Sequence, residues 1–270
     1  MNKLTGSFVW VSCSLILFLT ACNSFEYSPN QVFDRNSPQY LNRKSLQRLA
    51  ESVKDDTIRF VLTGDSQREY THSEELVRTV NNIPGVDFVL LAGDISDFGL
   101  LQEMEWVNEI FSKLKMPYIG VIGNHDLVAN GEKVFKRMFG ELNFSFVYGG
   151  VKFVCHNTNS REAAFDGSVP DLPWLREQFK AEDGVTAYIG VAHVPPNNGD
   201  FDTSLSEQYV NVINNSPNTL AALFAHTHSK NLFYPGRGNI PYVVTNAIEN
   251  REFVLIEIIN GKFSFKNISY

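Results

Sequence analysis

The chain has 270 residues with 43% apolar side chains, enough for one large α/β domain or two small ones, either with a real core. An aromatic share of 13% excludes a disordered chain. The formal charge of −7 disfavours a nucleic-acid partner, because an acidic surface repels a phosphate backbone unless the site itself is made cationic by bound metal ions.

The first residues read as a leader. Lys3 precedes an apolar run over residues 8–19 that is too short for a comfortable transmembrane helix and ends in small residues. Leu19-Thr20-Ala21-Cys22 resembles the bacterial lipobox. That resemblance implies cleavage before Cys22, diacylation of its sulfur and attachment to a membrane through lipid rather than through a span. An ordinary secretory signal with an incidental cysteine is the alternative. Asn23 is not the Asp associated with inner-membrane retention, so an extracytoplasmic domain held at the outer membrane is favoured. Residues 1–21 are thus expected to be a signal peptide and residues 51–270 the domain. Residues 22–50, polar at first and carrying Pro29 and Pro38, are expected to be a tether. Cys155 is the one cysteine left in the domain; it has no internal disulfide partner and should be a buried, inert thiol.

Strand and helix signals then alternate. Residues 58–62 form an apolar strand stopped by Gly64, and Thr71 with Glu74 offers a capping box for a helix carrying Leu76, Val77 and Val80. Pro84-Gly85 breaks that helix. Residues 86–91 are almost wholly apolar, as a strand covered on both faces should be. Leu100, Met104, Val107, Phe111 and Leu114 recur at helical spacing, and residues 118–122 make a third strand. The pattern next becomes a hairpin, residues 144–148 and 151–156 joined by Gly149-Gly150. A helix over 172–181, a strand over 186–191, a helix over 205–213 and strands over 220–224 and 242–247 follow. Asn260-Gly261 joins residues 253–259 and 262–268 in a second hairpin. Parallel βα units followed by hairpins predict an α/β fold with mixed sheets between helices.

Five polar clusters sit where apolar strands end: Gly64-Asp65-Ser66-Gln67, Gly93-Asp94, Gly123-Asn124-His125-Asp126, Ala192-His193 and Ala225-His226-Thr227-His228. Functional groups of α/β sheets collect beyond the carboxyl ends of strands, so these clusters should meet. Two carboxylates, three imidazoles and two amide oxygens are the donor types that a pair of divalent cations needs. His226 and His228 lie two residues apart, so both rings can face the same way in extended chain. Asp65 and Asp94 could instead serve as helix N-caps, and His125 could merely orient Asp126. Asp97 and Asp126 suit a supporting role better than a ligating one. His72 and His156 have no motif support. Asn157-Thr158-Asn159 could line a pocket, or simply belong to a polar loop.

The order and content of these clusters resemble the calcineurin-like metallophosphoesterases from about residue 58 to residue 228. Asp65-Ser66-Gln67 stands where the family has Asp-x-His. Gly93-Asp94-Ile95-Ser96-Asp97 and Gly123-Asn124-His125-Asp126 fit the next two motifs, followed by His193 and Ala225-His226-Thr227-His228. Trp174-Leu175 is similar to a helix start of that family. The resemblance implies a four-layer αββα sandwich and two divalent cations. Asp94 would bridge them, Asp65, Gln67 and His228 would complete one, and Asn124, His193 and His226 the other. His125 would protonate the leaving oxygen or stabilise charge, while a metal-bridging hydroxide attacks phosphorus. Gln67 in place of His offers a harder, weaker oxygen, which favours Mn²⁺, Fe²⁺ or Mg²⁺ over Zn²⁺.

The expectation is a monomeric, metal-dependent phosphoesterase for a small phosphomonoester, nucleotide or phosphodiester. Loops 129–143, 159–170 and 195–203 are the expected specificity elements, with Arg161 reaching a phosphate. The rival from another class is a non-catalytic surface lipoprotein that keeps the fold to bind a ligand or a protein.

Overall fold

A computed structural model describes residues 28–52 and 57–270. The expected signal peptide, Cys22 and the first part of the tether lie outside the described residues. No helix among the described residues is long and apolar enough to cross a membrane.

Among the described residues the strands form two sheets. The first is five-stranded. Its centre is β1 (Thr57–Thr63), with β2 (Phe88–Ala92) and β3 (Tyr118–Val121) parallel on one side. On the other side lies the hairpin β10 (Glu252–Ile259) and β11 (Lys262–Ser269). β10 runs antiparallel to β1, with Thr57 opposite Ile259 and Leu62 opposite Val254. The second sheet has six strands in the order β4-β5-β6-β7-β9-β8. They are β4 (Phe144–Tyr148), β5 (Val151–Cys155), β6 (Ala187–Val191), β7 (Thr219–Phe224), β8 (Asn231–Phe233) and β9 (Tyr242–Val244). β5, β6, β7 and β9 are parallel. Both predicted hairpin turns, Gly149-Gly150 and Asn260-Gly261, place two residues in the left-handed region, which lets the turn follow the twist of its strands.

Side-chain alternation builds the layers. Phe60 and Leu62 of β1 and Phe88 and Leu90 of β2 point into the space between the sheets, where Phe153, Ile189 and Leu223 meet them. Phe88 stacks on Phe60 at 4.9 Å and meets Phe153 edge-on at 5.3 Å. Each such ring contributes about 1.5–3 kcal/mol by burial. The alternate residues Val61, Val89 and Leu91 face outward and are covered by helices α2 (Tyr70–Val80), α3 (Leu101–Phe111) and α4 (Gly131–Met138). Helices α5 (Leu172–Gln178) and α6 (Thr203–Asn214) cover Val154, Tyr188 and Ala222 on the second sheet. The result is the expected four-layer αββα sandwich.

Three elements differ from expectation. Residues 41–50, assigned above to the tether, form helix α1 (Leu41–Ala50), which is packed against the domain. The Asn42 amide donates to Gly120 O and accepts from Gly120 N, both at 2.8 Å. It thereby supplies the pairing that the open edge of β3 lacks. α4 occupies part of the expected loop 129–143, burying Val134, Phe135 and Met138. α2 begins at Tyr70, with Ser73 N bonded to Glu69 O at 2.8 Å, so Thr71 and Glu74 lie inside its first turns and form no capping box.

His156 gives a stability prediction. It is buried, its Nε2 lies 2.8 Å from the Tyr209 hydroxyl, and burial pushes it down to about 4 from the usual 6.5. The unfolded chain then binds the extra proton more readily, so folding stability falls as pH drops from 6.5 towards 4, by about 3 kcal/mol in full. Urea unfolding should show the wild-type advantage over His156→Gln narrowing by about that amount between pH 7 and pH 4.

Candidate active site

All five clusters emerge at one edge of the sandwich, where the parallel strands of both sheets point their carboxyl ends. Asp65 follows β1, Asp94 follows β2, and Asn124 and His125 follow β3; His193 and the His226–His228 segment follow β6 and β7. The chain turns sharply after β1, β2 and β7. Asp65, Asp94, His226 and His228 all adopt left-handed backbone, with φ of 54°, 52°, 74° and 55°. Non-glycine residues held there store about 1–3 kcal/mol of strain each, and such strain gathers at functional sites. Asp65 N bonds to Gly93 O at 3.0 Å, while Ser66 N and Gln67 N both reach Asp94 O. His226 N donates to Asp65 Oδ2 at 3.1 Å and so ties one sheet to the other.

Acceptors converge at the centre. His193 Nδ1 donates to Ala92 O at 2.7 Å, which leaves the lone pair of its Nε2 facing inward. That nitrogen lies 3.2 Å from Asp94 Oδ2, 3.1 Å from Asn124 Oδ1 and 3.3 Å from His226 Nδ1. His226 Nδ1 is 3.0 Å from Asn124 Oδ1, and its Nε2 faces Asp200 Oδ2 at 3.2 Å. With both outer nitrogens committed, no proton remains to separate these lone pairs in neutral rings, and the arrangement calls for a positive centre. Ligand atoms of Asp94, His193 and His226 all fall within 4.8 Å of one another. Beside them, His228 Nε2 lies 3.8 Å from Asp65 Oδ1 and 3.5 Å from Gln67 Nε2. Asp65 Oδ1 and Gln67 Oε1 are buried without a hydrogen-bond partner. This donor set and these orphaned oxygens fit two cations.

The electrostatics agree. Burial raises Asp65 to about 6, although His193 acts the other way. Burial also opposes charge on His193, yet the Asp94 and Asp65 carboxylates outweigh it and lift the ring to about 9. A proton thus takes the place that a cation would fill. Burial, reinforced by His193, lowers His226 to about 4, so this ring stays neutral and able to ligate. Burial works against ionisation of Asp94, but His193 and His125 prevail and hold it below the usual carboxylate range.

Supporting groups brace this centre. Asp126 Oδ1 accepts from Ser96 N and Ser96 Oγ, and its Oδ2 accepts from Ile95 N and Gly123 N at 3.2 and 2.9 Å. His125 N donates to Asp94 Oδ1 at 2.9 Å. His125 Nδ1 donates to Asp97 O at 2.8 Å, and its half-exposed ring lines a cavity of about 350 Å³ with Asp65, Gln67, Arg68, His228 and Glu249. A larger cleft of about 910 Å³, between α6 and residues 235–238, contains none of these side chains. Arg161 is not a free phosphate anchor, because its guanidinium is paired with Asp200. Asn157, Thr158 and Asn159 are buried braces, Thr158 Oγ1 accepting from Val194 N at 2.9 Å and Asn159 Nδ2 donating to Ile122 O at 3.3 Å. Asp200 and Glu249, which contact His226 and His228, had no sequence signal, since neither ends a strand or belongs to a motif.

The sandwich thus gathers acidic and imidazole groups at the carboxyl ends of its strands. The sequence profile of the calcineurin-like phosphoesterases matches residues 58–230, and the chain belongs to that family. It is 24% identical over 209 residues to a 3′,5′-cyclic-nucleotide phosphodiesterase of Nostoc sp., covering 73% of this chain and 78% of that one. Its fold is similar to a dimetal phosphatase from Danio rerio, with a TM-score of 0.62 and 12% identity, covering 78% of this chain and 95% of the other. It is also similar to GAP50, the anchor in the inner membrane complex of Plasmodium, with a TM-score of 0.60 and 12% identity over 79% and 84% of the two chains. The two structural likenesses speak to fold alone.

Proposed function

We propose that the protein hydrolyses a small phosphoric ester with two divalent cations. The observation that carries this is the meeting of four acceptors, Asp94 Oδ2, Asn124 Oδ1, His193 Nε2 and His226 Nδ1, separated by 3.0 to 3.3 Å along the contacts described. Asp94 would be shared, with Asn124, His193 and His226 on one cation and Asp65, Gln67 and His228 on the other. When bound, the cations supply the positive charge that polarises the phosphoryl group and makes a water acidic enough to attack it. Gln67 places an amide oxygen where imidazole would select Zn²⁺, which favours Mn²⁺, Fe²⁺ or Mg²⁺.

His125 would serve the leaving group. Its Nδ1–H is given to Asp97 O, so the ring protonated on both nitrogens is the form that would hand the Nε2 proton to the leaving oxygen. The segment around Asp97 is itself held, because the Glu103 carboxylate accepts from Asp97 N, Phe98 N and Leu100 N. A cavity of about 350 Å³ lies at the small end of ligand sites and fits a mononucleotide-sized ester. The activity named for the Nostoc relative makes a cyclic phosphodiester the first to try. All the residues assigned to the cations come from one chain, so the reading needs no partner subunit. The leader sequence alone supports placement outside the cytoplasm through lipid on Cys22.

Turnover of p-nitrophenyl phosphate, bis-p-nitrophenyl phosphate and a 3′,5′-cyclic nucleotide, with each cation in turn, tests this reading. His125→Ala should lower kcat by about 10²–10⁴ on an alkyl leaving group and much less on p-nitrophenolate, which needs no proton. Cation binding should be unchanged in that variant. Bound cations without turnover of any ester would favour ligand binding by a non-catalytic lipoprotein instead.

A further inference from the structure

Two carboxylates outside the strand-end clusters stand behind the histidine pair. His226 presents Nδ1 to the acceptor cluster and Nε2 to Asp200 Oδ2 at 3.2 Å. His228 does the reverse, with Nε2 towards Asp65 and Gln67 and Nδ1 against Glu249 Oε1 at 3.0 Å. Two rings two residues apart therefore need opposite tautomers, which water alone does not select.

Both carboxylates are held in place. Asp200 pairs with the Arg161 guanidinium, its carbonyl accepts from Arg161 N at 3.2 Å, and its own N–H donates to Asn198 Oδ1 at 2.8 Å. Glu249 sits in a 3-10 turn, Ile248–Asn250, that grips His228 twice, because Asn250 Nδ2 also donates to His228 O at 2.6 Å. The Tyr270 hydroxyl donates to Ile248 O at 3.2 Å and fixes the turn to the end of the first sheet. This turn lies beyond the family-matched residues 58–230.

We propose that Asp200 and Glu249 are positioning residues of the cation centre: each holds the proton of one histidine on its outer nitrogen and so aims the other nitrogen's lone pair at a cation. The proposal rests on the two-cation reading above. A carboxylate behind a ligating imidazole also makes the ring a stronger donor. That matters most beside Gln67, where an amide replaces an imidazole. The His228 and Glu249 side chains are 45% and 49% exposed, so their contact adds little to stability, and its effect belongs to binding.

The test uses the full chain with ¹⁵N-labelled histidine, as wild type, Asp200→Ala, Glu249→Ala and Glu249→Gln. Ring ¹⁵N shifts of the cation-free protein report which nitrogen carries the proton, and calorimetry with Mn²⁺ follows the two binding steps. Wild type should show Nε2–H on His226 and Nδ1–H on His228. Each Ala variant should lose that preference at its own histidine and lose roughly 10–100-fold in affinity at a different binding step. Glu249→Gln should keep the tautomer, since its amide oxygen still accepts, and recover part of the affinity. Melting of the cation-free Glu249 variants should match wild type, which a purely structural role would not allow. Two bound ions in wild type, with tautomers and affinities unchanged in both Ala variants, would overturn the proposal. A wild type that binds no Mn²⁺ would sink the two-cation reading and this proposal together.

Discussion

Asp94→Asn should abolish cation-dependent ester hydrolysis, by about a thousandfold or more, in a protein that is still folded. Asn tolerates the left-handed backbone at this position, where φ is 52°. Its Oδ1 can still accept from His125 N, as Asp94 Oδ1 does at 2.9 Å. The change falls on Oδ2, which faces His193 Nε2 at 3.2 Å. An NH₂ group there donates to that lone pair and satisfies the acceptor cluster without a cation. It also removes the one negative charge that both cations would share, and a loss of about 4 kcal/mol in transition-state stabilisation corresponds to a thousandfold. Thermal melting adds a second readout. Wild type should gain stability with Mn²⁺ as RT ln(1 + [L]/Kd), and Asp94→Asn should not. Turnover within tenfold of wild type would refute the shared role of Asp94.

Gly123→Ala should be the most damaging small substitution at the site, costing more than about 4 kcal/mol or preventing soluble folding. A Cβ on Gly123 overlaps the backbone nitrogen and Oδ1 of Asp94 and lies 2.9 Å from its Cα. These are mostly backbone atoms, so no rotamer change relieves the clash. β2 and β3 would have to separate at their carboxyl ends, although Ala92 and Val121 are in register there. Gly190 in β6 is the control: a Cβ there meets nothing closer than 3.6 Å, so Gly190→Ala should be tolerated. Urea unfolding of both variants decides the matter, and a Gly123→Ala protein within 1 kcal/mol of wild type, on the order of an ordinary surface change, would be against it.

The central strands and the clusters at their ends were legible because burial on both faces leaves a plain sequence trace. All five residues of β2 are buried, and the run is apolar throughout before Gly93-Asp94. Asn260-Gly261 likewise announces its hairpin through turn geometry alone. α1 was missed because it docks with polar groups: Asn42 and Ser45 are buried beside Leu49, so its contact face reads as hydrophilic. α4 was missed because two turns with three buried apolar residues give too short a period to stand out. The pairing of Arg161 with Asp200 and the places of Asp200 and Glu249 beside the histidines were not legible for the same reason. What these side chains do depends on which loop lies opposite, and irregular loops carry no period that brings two of them together.

The placement of β1 at the centre of the first sheet has a consequence for biosynthesis. Its residues pair in register with β10, so Thr57 must find Ile259. A ribosome adding about 5–20 residues per second needs on the order of 10–40 s to make the roughly 200 residues between them. For that interval one whole side of β1, whose residues are mostly apolar, has no neighbour to bond to, and the nascent chain carries an open sheet edge. β10 and β11 therefore complete the first sheet late, and a chain stopped short of β10 would expose an edge suited to aggregation.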